Sequence, residues 1–302
     1  KRQLFLVSLM KMFDEYFQKN IEQFKEKMRK KIYQMYEDDV GTEDITTEAL
    51  IRPMNIKAII KAKENGILAG IFETHSLLEK LGVKVKELVK EGSEIKKGDI
   101  IMEIEGDATK IMQAERTVMN FLPRLSGIAT LTNKLVNKTK AKVASTRKTC
   151  FSFSDKYAVQ LGKGYTHRLG LFDQYLIKGN HIDIVKKELN CSRVEAIKEC
   201  IKRAREHKSG IPIEIEVLNE EEAIAATKEK PEMIMFDNWK RPSDIKRVVE
   251  KLKDIGICFE ASGGINPDNI EEFGNTGVHF VSLGYLTHSC KPLEMSLKIL
   301  NE

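Results

Sequence analysis

Residues 144–181 read ASTRKTCFSFSDKYAVQLGKGYTHRLGLFDQYLIKGNH, and the rest of the chain is organised around them. The stretch carries Arg147, Lys148, Lys163, His167, Arg168 and Lys178. A run of charges is ordinarily a solvated helix face. Here the cations are instead interleaved with short turns and follow two apolar runs, AKVAST and QYLI, that read as strands. The ends of strands are where α/β proteins present ligand groups. The expectation is a pocket for a substrate bearing several negative charges.

The composition bounds the partners. A chain of 302 residues, 41% hydrophobic and 31% charged, has ample material for one large domain or two ordinary ones. Fifty basic against 45 acidic residues leave a net charge of +5, a mild excess over a mixed surface. With one Trp and no repeat of aromatic and basic residues, nothing asks for nucleic acid. Five cysteines, with no CxxC, suit a reducing cytoplasm, and no activating pattern surrounds Cys150. The opening KRQLFLVSLMK is too short to span a bilayer and lacks a cleavage site. Residues 1–12 read as an N-terminal extension or the start of the first helix.

Along the chain, apolar residues Ile21, Phe24, Met28, Ile32 and Met35 form one stripe of a helix over 14–36. Acids and Gly41 then mark a turn, with Thr46 and Thr47 in a loop or strand edge. Residues 57–106 alternate apolar and polar between glycine turns, as in a small sandwich or barrel. They locally resemble a lipoyl-type carrier but offer no lysine at a clear hairpin tip. Residues 108–140 are helical, divided or kinked at Pro123. From 142 onward strands alternate with helices. Ser192 and Glu195 form a capping box, Asn219 caps a helix, Pro242 opens another, and Asn266 with Pro267 a further one. PLEMSLKIL reads as a closing helix. Such alternation predicts a parallel sheet closed, or nearly closed, as a barrel.

The predicted strands end in STRK, IKGNH, EIEV, FDN, EASGG and SLG. A barrel gathers such ends at one mouth. Glu214 and Glu216 lie two apart and so share a face, the inward one if the apolar face meets the helices. They offer either internal salt bridges or pocket chemistry, with Asp237 on the next strand. Ser262-Gly263-Gly264 and Ser282-Leu283-Gly284 suit phosphate loops, the first ahead of a helix start. His181 reads as a hydrogen-bonding histidine, His167 beside Arg168 as an anion contact, and His288 as a cap. No His has a second ligand at metal spacing.

The motifs AERTVMNFLPRLSGIATLT, TRKT, KYAVQLGKGYTHRLGLFDQYLIKGNHI, IEIEVLNEEEA, MIMFDN, EASGGINPDNI and SLGYLTHS occur in this order. Together, from residue 37 to the C-terminus, they resemble the quinolinate phosphoribosyltransferase family. The resemblance implies an N-terminal α/β sandwich over 13–122, an open, TIM-like α/β barrel over 123–290, and a C-terminal helix, 291–302, packing back. It implies transfer of the phosphoribosyl group of phosphoribosyl pyrophosphate to quinolinate with loss of CO2, in NAD synthesis. The family works as dimers or multiples of dimers, with Mg2+ accompanying the pyrophosphate. By position, Arg116, Arg147, His167 and Arg168 would bind quinolinate, Arg116 from the neighbouring subunit. Lys148 and Lys178 would lie between it and the phosphates, and Glu216 and Asp237 near the ribose and its magnesium. Ser262, Gly263, Gly264, Ser282 and Gly284 would belong to the phosphate loops.

Four departures fall in the central stretch. Ser145 replaces an acid before TRKT, and Cys150-Phe151-Ser152 replaces Thr-Pro-Gly after it. Lys163 interrupts a triple glycine, with Tyr165-Thr166 following, and Gly179 replaces an Asp. The departures leave a more positive pocket. They also leave open a related transferase with another acceptor, of the kind associated with molybdenum transport, or a non-catalytic homologue.

Overall fold

The computed structural model describes residues 16–17 and 19–300. The expected extension over 1–12 and the first residues of the helix expected from 14 lie outside the described residues. Helix α1, Ile21–Val40, buries Phe24, Met28 and Ile32, the stripe that the periodicity predicts. It runs past Tyr36 and stops at Gly41, whose φ of 60° a glycine adopts without strain. Helix α2, Ile45–Leu50, contains Thr46 and Thr47, which the sequence had suggested for a loop or strand edge. The Asp44 side chain accepts the Thr47 N–H at 2.9 Å and so caps a short helix in their place.

Strands β1, Asn55–Ala62, and β2, Gly66–Ile67, flank the expected turn. Helix α3, Ile71–Lys80, was hidden in a segment that read as β-rich. Strands β3, Lys84–Glu87, β4, Glu94–Ile95, and β5, Ile100–Asp107, follow. Helix α4, Ala108–Val136, is one element of 29 residues with Pro123 inside it, where the sequence had suggested two helices or a kink. Its Pro123 carbonyl accepts from Leu293 N at 2.8 Å. Strand β6, Lys142–Ser145, helix α5, Phe153–Leu161, strand β7, Tyr175–Ile177, and helix α6, Gly179–Leu189, come next. Helix α7, Arg193–His207, carries the predicted Ser192–Glu195 capping box. Strand β8, Ile213–Val217, precedes α8, Glu220–Lys228, capped by Asn219. Strand β9, Met233–Asp237, precedes α9, Pro242–Leu252. The remaining elements are β10, Cys258–Ser262, α10, Ile270–Gly274, β11, Phe280–Leu283, α11, Tyr285–His288, and β12, Met295–Ile299.

The closing segment is therefore a strand and not the helix expected over 291–302. Met295, Leu297 and Ile299 repeat every second residue, the strand period, and β12 pairs antiparallel with β1 from Ala62↔Met295 to Ala58↔Ile299. The pull of an unfilled sheet edge outweighs local helix preference.

The chain divides into two compact units. One comprises residues 17–134, 149–164 and 286–300 and holds an antiparallel sheet of order β12-β1-β5-β3, with β2 and β4 paired beside it. The other comprises Tyr16, 135–148 and 165–285 and holds a parallel sheet of order β6-β11-β10-β9-β8-β7. Its strands β9 and β11 are nearly continuous apolar runs, as parallel strands covered on both faces must be, while Glu214 and Glu216 interrupt β8 and Glu260 interrupts β10. Every C-terminal strand end lies on the same edge. The β6 and β7 margins are not joined to each other as strands among the described residues, so the barrel is open.

In the first unit, Glu73 is fully buried, and neither carboxylate oxygen has a hydrogen-bond partner among the described residues. Burial, then the nearby Glu91, push its pKa up to about 7. The unfolded chain ionises this group near 4.5, so the folded state binds the extra proton. Stability therefore falls as pH rises from about 4.5 to about 7. Glu73→Gln is expected to flatten this slope and to stabilise the fold above pH 7 by roughly 1–3 kcal/mol. Denaturant melts at pH 5 and 7.5 check it: an equal difference between wild type and variant at both pH values contradicts a buried, protonated Glu73.

Candidate functional site

The parallel sheet determines where the charges collect. Arg147 and Lys148, both exposed, follow β6, and Lys178 follows β7 as the N-cap of α6. Glu216 is the penultimate residue of β8, Asp237 the last of β9, and Ser262 the last of β10. Gly263 and Gly264 follow with φ of 89° and 68°, and Gly284 follows β11. A Cβ on Gly263 would sit 2.4 Å from Asn238 Oδ1, so this turn requires glycine. The helix expected to start at Asn266 begins only at Ile270, with Asn269 as N-cap, and spans five residues. Any phosphate at this turn would therefore be held by backbone N–H groups and not by a helix terminus. Arg116 belongs to the other unit: it is exposed on α4 and lines a cavity of about 320 Å³ with Met119, Leu293 and Met295.

Arg168 is only 6% exposed, and its Nε has no hydrogen-bond partner among the described residues. Burial, then the neighbouring charge of Arg147, work against its protonated state, and Asp173, Glu214 and Glu216 only partly offset them. Glu216 faces the opposite difficulty. Burial first, and Asp237 as a like charge, raise its pKa, against the Gly179 N–H at 2.8 Å and Lys178 at 3.9 Å. The rim thus holds two mutually repelling guanidinium groups and two mutually repelling carboxylates.

Beneath the rim lies a group that the sequence did not reveal. His167 Nε2 is 3.1 Å from Glu214 Oε2 and 3.0 Å from Glu260 Oε2, with both carboxylates fully buried. The two glutamates raise the His167 pKa to about 10 in spite of its burial. Burial raises Glu214 first and Glu260 adds to it, to about 7. His167, expected as an anion contact, therefore turns Nε2 to two protein carboxylates. The predicted inward face of β8 is real, and Glu214 takes the internal salt bridge while Glu216 reaches the rim. Gln174 donates to Glu214 Oε2 at 2.7 Å, and the Ser282 hydroxyl donates to Glu260 Oε1 at 2.5 Å and lies 2.9 Å from that of Ser262. Ser282, expected at the phosphate, is 2% exposed and serves this buried network. Among the described residues, only these three could form a metal-ligand cluster. With both carboxylates within 3.1 Å of the one ring nitrogen, the three groups form a buried ion-paired cluster.

The departures have local explanations. Buried Ser145 donates its hydroxyl to the Thr166 carbonyl at 3.3 Å, which an ionised acid could not do. Gly179 gives its N–H to Glu216, where an aspartate would add a further negative charge. Lys163 takes the left-handed backbone, φ 69°, that a glycine would adopt more freely, while a Cβ at Gly162 would meet the Ala129 carbonyl oxygen at 2.4 Å. After Lys148, Asp155 accepts from the Thr149 hydroxyl at 2.5 Å and from the Cys150 and Phe151 N–H groups. Arg124 pairs with Asp155 through two hydrogen bonds, at 2.9 and 3.2 Å, and the Phe151 ring stacks on Phe121 at 4.5 Å. These contacts anchor the segment that replaces Thr-Pro-Gly. His181 accepts from Lys178 N at 3.0 Å as expected, and exposed His288, the last residue of α11, lies 2.6 Å from Ser289 Oγ, with no closing helix to cap.

Comparison with known proteins matches two consecutive stretches of the chain. The description "Quinolinate phosphoribosyl transferase, N-terminal domain" matches residues 44–126, and "Quinolinate phosphoribosyl transferase, C-terminal domain" matches 128–298. The chain is 43% identical over 280 residues to a Methanocaldococcus jannaschii protein named "Probable nicotinate-nucleotide pyrophosphorylase [carboxylating]", covering 87% of this chain and 94% of that one. It is 36% identical over 283 residues to the chloroplastic nicotinate-nucleotide pyrophosphorylase (carboxylating) of Arabidopsis thaliana, covering 88% and 80%. Among solved structures, the nicotinate-nucleotide pyrophosphorylase of Francisella tularensis superposes with a TM-score of 0.81 at 32% identity, covering 91% of this chain and 97% of that one. The chain belongs to the quinolinate phosphoribosyltransferase family.

Proposed function

We propose that the chain transfers the phosphoribosyl group of phosphoribosyl pyrophosphate to quinolinate and releases CO2, giving nicotinate mononucleotide and pyrophosphate for NAD synthesis in the cytoplasm. The observation that carries this reading is Arg168: a buried guanidinium with a partnerless Nε, set beside the like charge of Arg147. A ligand with carboxylates in a fixed plane relieves both strains, because a guanidinium fork matches a carboxylate through two parallel hydrogen bonds.

Arg147 and Arg168 hold the two carboxylates of quinolinate, with Lys148 and Lys178 between the acceptor and the phosphates. The ring nitrogen attacks the anomeric carbon of the ribose as the bond to pyrophosphate breaks. Glu216 and Asp237 face the positive charge that develops on the ribose and accept its hydroxyls. The carboxylate next to the ring nitrogen then leaves as CO2. Its bonding electrons stay on the ring carbon beside the cationic nitrogen and take up a proton. The guanidinium and ammonium groups stabilise those electrons, and the work is positioning and electrostatics without a covalent nucleophile. The loops at Ser262-Gly263-Gly264 and Gly284 approach the 5′-phosphate with their backbone. Oxygen ligands suit a hard cation, and the mutually repelling carboxylates of Glu216 and Asp237 would hold magnesium, which would supply positive charge for the pyrophosphate. Arg116 completes the site of a second copy of the chain in a homodimer.

Purified protein with magnesium is expected to convert quinolinate and phosphoribosyl pyrophosphate to nicotinate mononucleotide, measured by chromatography. No product despite binding of both substrates points to a non-catalytic homologue, and failure to bind quinolinate points to another acceptor. Arg147→Ala is expected to raise the KM for quinolinate about 10- to 100-fold, the loss of a charged hydrogen-bonded pair. The melting temperature should stay nearly constant, since Arg147 is exposed; a parallel loss of both means that its role is structural. Mixing Arg116→Ala with Lys178→Ala protein is expected to restore up to about a quarter of wild-type activity, the share of sites left intact by random pairing. No rescue in verified mixed dimers rejects sites shared between subunits.

A further inference from the structure

We propose that Glu260, with Glu214 opposite it, is a positioning residue of the transfer reaction: the two carboxylates close on Nε2 of His167 as ion-pair partners and set the imidazole as a fixed cation beside Arg168, at the acceptor's place. The inference deepens the functional reading and rests on it for the identity of the acceptor. Glu214 comes from β8 and Glu260 from β10, the strands on either side of β9. At 3.1 and 3.0 Å from Nε2, both face one ring nitrogen. Two carboxylate oxygens so close to a nitrogen require a proton on it. Imidazole geometry then turns Nδ1 away from both acids.

Each acid is itself held. Gln174 donates to Glu214, and Ser282 donates to Glu260. The backbone of the histidine is fixed as well, with φ at 50° and the preceding Thr166 carbonyl accepting from Ser145. The charged groups around the ring are Glu214 from β8, Glu260 from β10 and Arg168 from its own segment, with Arg147, Asp173 and Glu216 acting beyond Arg168. An ordinary histidine is mostly neutral at pH 7.5 and would bind a dianion only weakly. One gripped by two acids stays doubly protonated across the physiological range, so its attraction for a carboxylate does not vary with pH. Glu260 touches neither substrate and acts through His167.

Glu260→Gln preserves the size of the side chain and removes one charge. With 15N-histidine-labelled protein and His167→Gln to assign the signal, the wild-type ring should carry both protons at pH 8. In Glu260→Gln it should lose one at a pH roughly two to three units lower. The KM for quinolinate should be flat from pH 6 to 8.5 in wild type. In the variant it should rise about tenfold over that range, with kcat changed less, as expected when a pKa falls into the assay window. Glu260→Asp should restore the flat profile in part. If Glu260→Gln does not fold, Glu214→Gln must move both readouts in the same direction. A wild-type ring with one proton at pH 8, or a Glu260→Gln ring and KM profile like those of wild type, overturns the proposal. A wild-type enzyme that ignores quinolinate overturns the functional reading instead, and the protonation comparison then decides the role of Glu260 by itself.

Discussion

Two carboxylates buried on alternate strands of one sheet need a cation between them if they are to stay ionised, since an isolated buried charge costs several kcal/mol. In a flat sheet, β8 and β10 would lie roughly 10 Å apart. Glu214 and Glu260 nevertheless reach the same His167 nitrogen, so the sheet curls with these acids on its concave face. The histidine has to be delivered there from outside the strands. Tyr165 does so by bridging to Ala144 beside β6, and Ser145 ties down both the Tyr165 and Thr166 carbonyls. The electrostatics of the core thereby fixes the course of residues 165–168 across the open side of the barrel.

That course places Arg168 immediately after the histidine, and the contrast between the two cations explains the site. His167 has its counter-ions within the protein. Arg168 is almost as deeply buried and has a partnerless Nε, with Arg147 as a repelling neighbour. The cation of the inner layer has partners within the protein, and the Nε of Arg168 in the layer above it has none among the described residues. In the proposed reaction an anion with two carboxylates would complete the upper layer, and the acids Glu216 and Asp237, on neighbouring strands, would take the ribose side.

The sequence disclosed the features that depend on period and local capping. The strand ends, the inward pair on β8, the caps at Ser192, Asn219 and Pro242, and the rim positions of Lys178, Glu216 and Asp237 were all legible. Features that depend on distant partners were not. PLEMSLKIL looks helical until β1 offers it an edge, and Thr46 and Thr47 look like a loop until Asp44 caps them. Glu260 carried a signal that went unread: a lone acid inside the apolar run GICFEAS, just as Glu214 interrupts IPIEIEV. Each acid alone suggests a pocket group, and only the curl of the sheet shows that both serve one histidine. The bond of the Ser282 hydroxyl to Glu260 was hidden for the same reason, because it runs across adjacent strands.

The departures from the family pattern can be weighed on the same electrostatic ground. An acid at 145 would stand beside the carbonyls that hold His167, close to a cluster already carrying two carboxylates for one imidazole. An acid at 179 would stand beside Glu216, whose ionisation is opposed by burial and by Asp237. Replacing both with neutral residues lessens repulsion at the two most acid-crowded points of the barrel and leaves Arg147, Lys148, Arg168 and Lys178 in place. The altered segment after Lys148 is anchored by its own contacts, with Asp155 taking the hydroxyl of Thr149 and Arg124 locking Asp155. The changes therefore fall on groups that tune the surroundings of the cations, and the demand for a dianionic acceptor comes from the cations themselves.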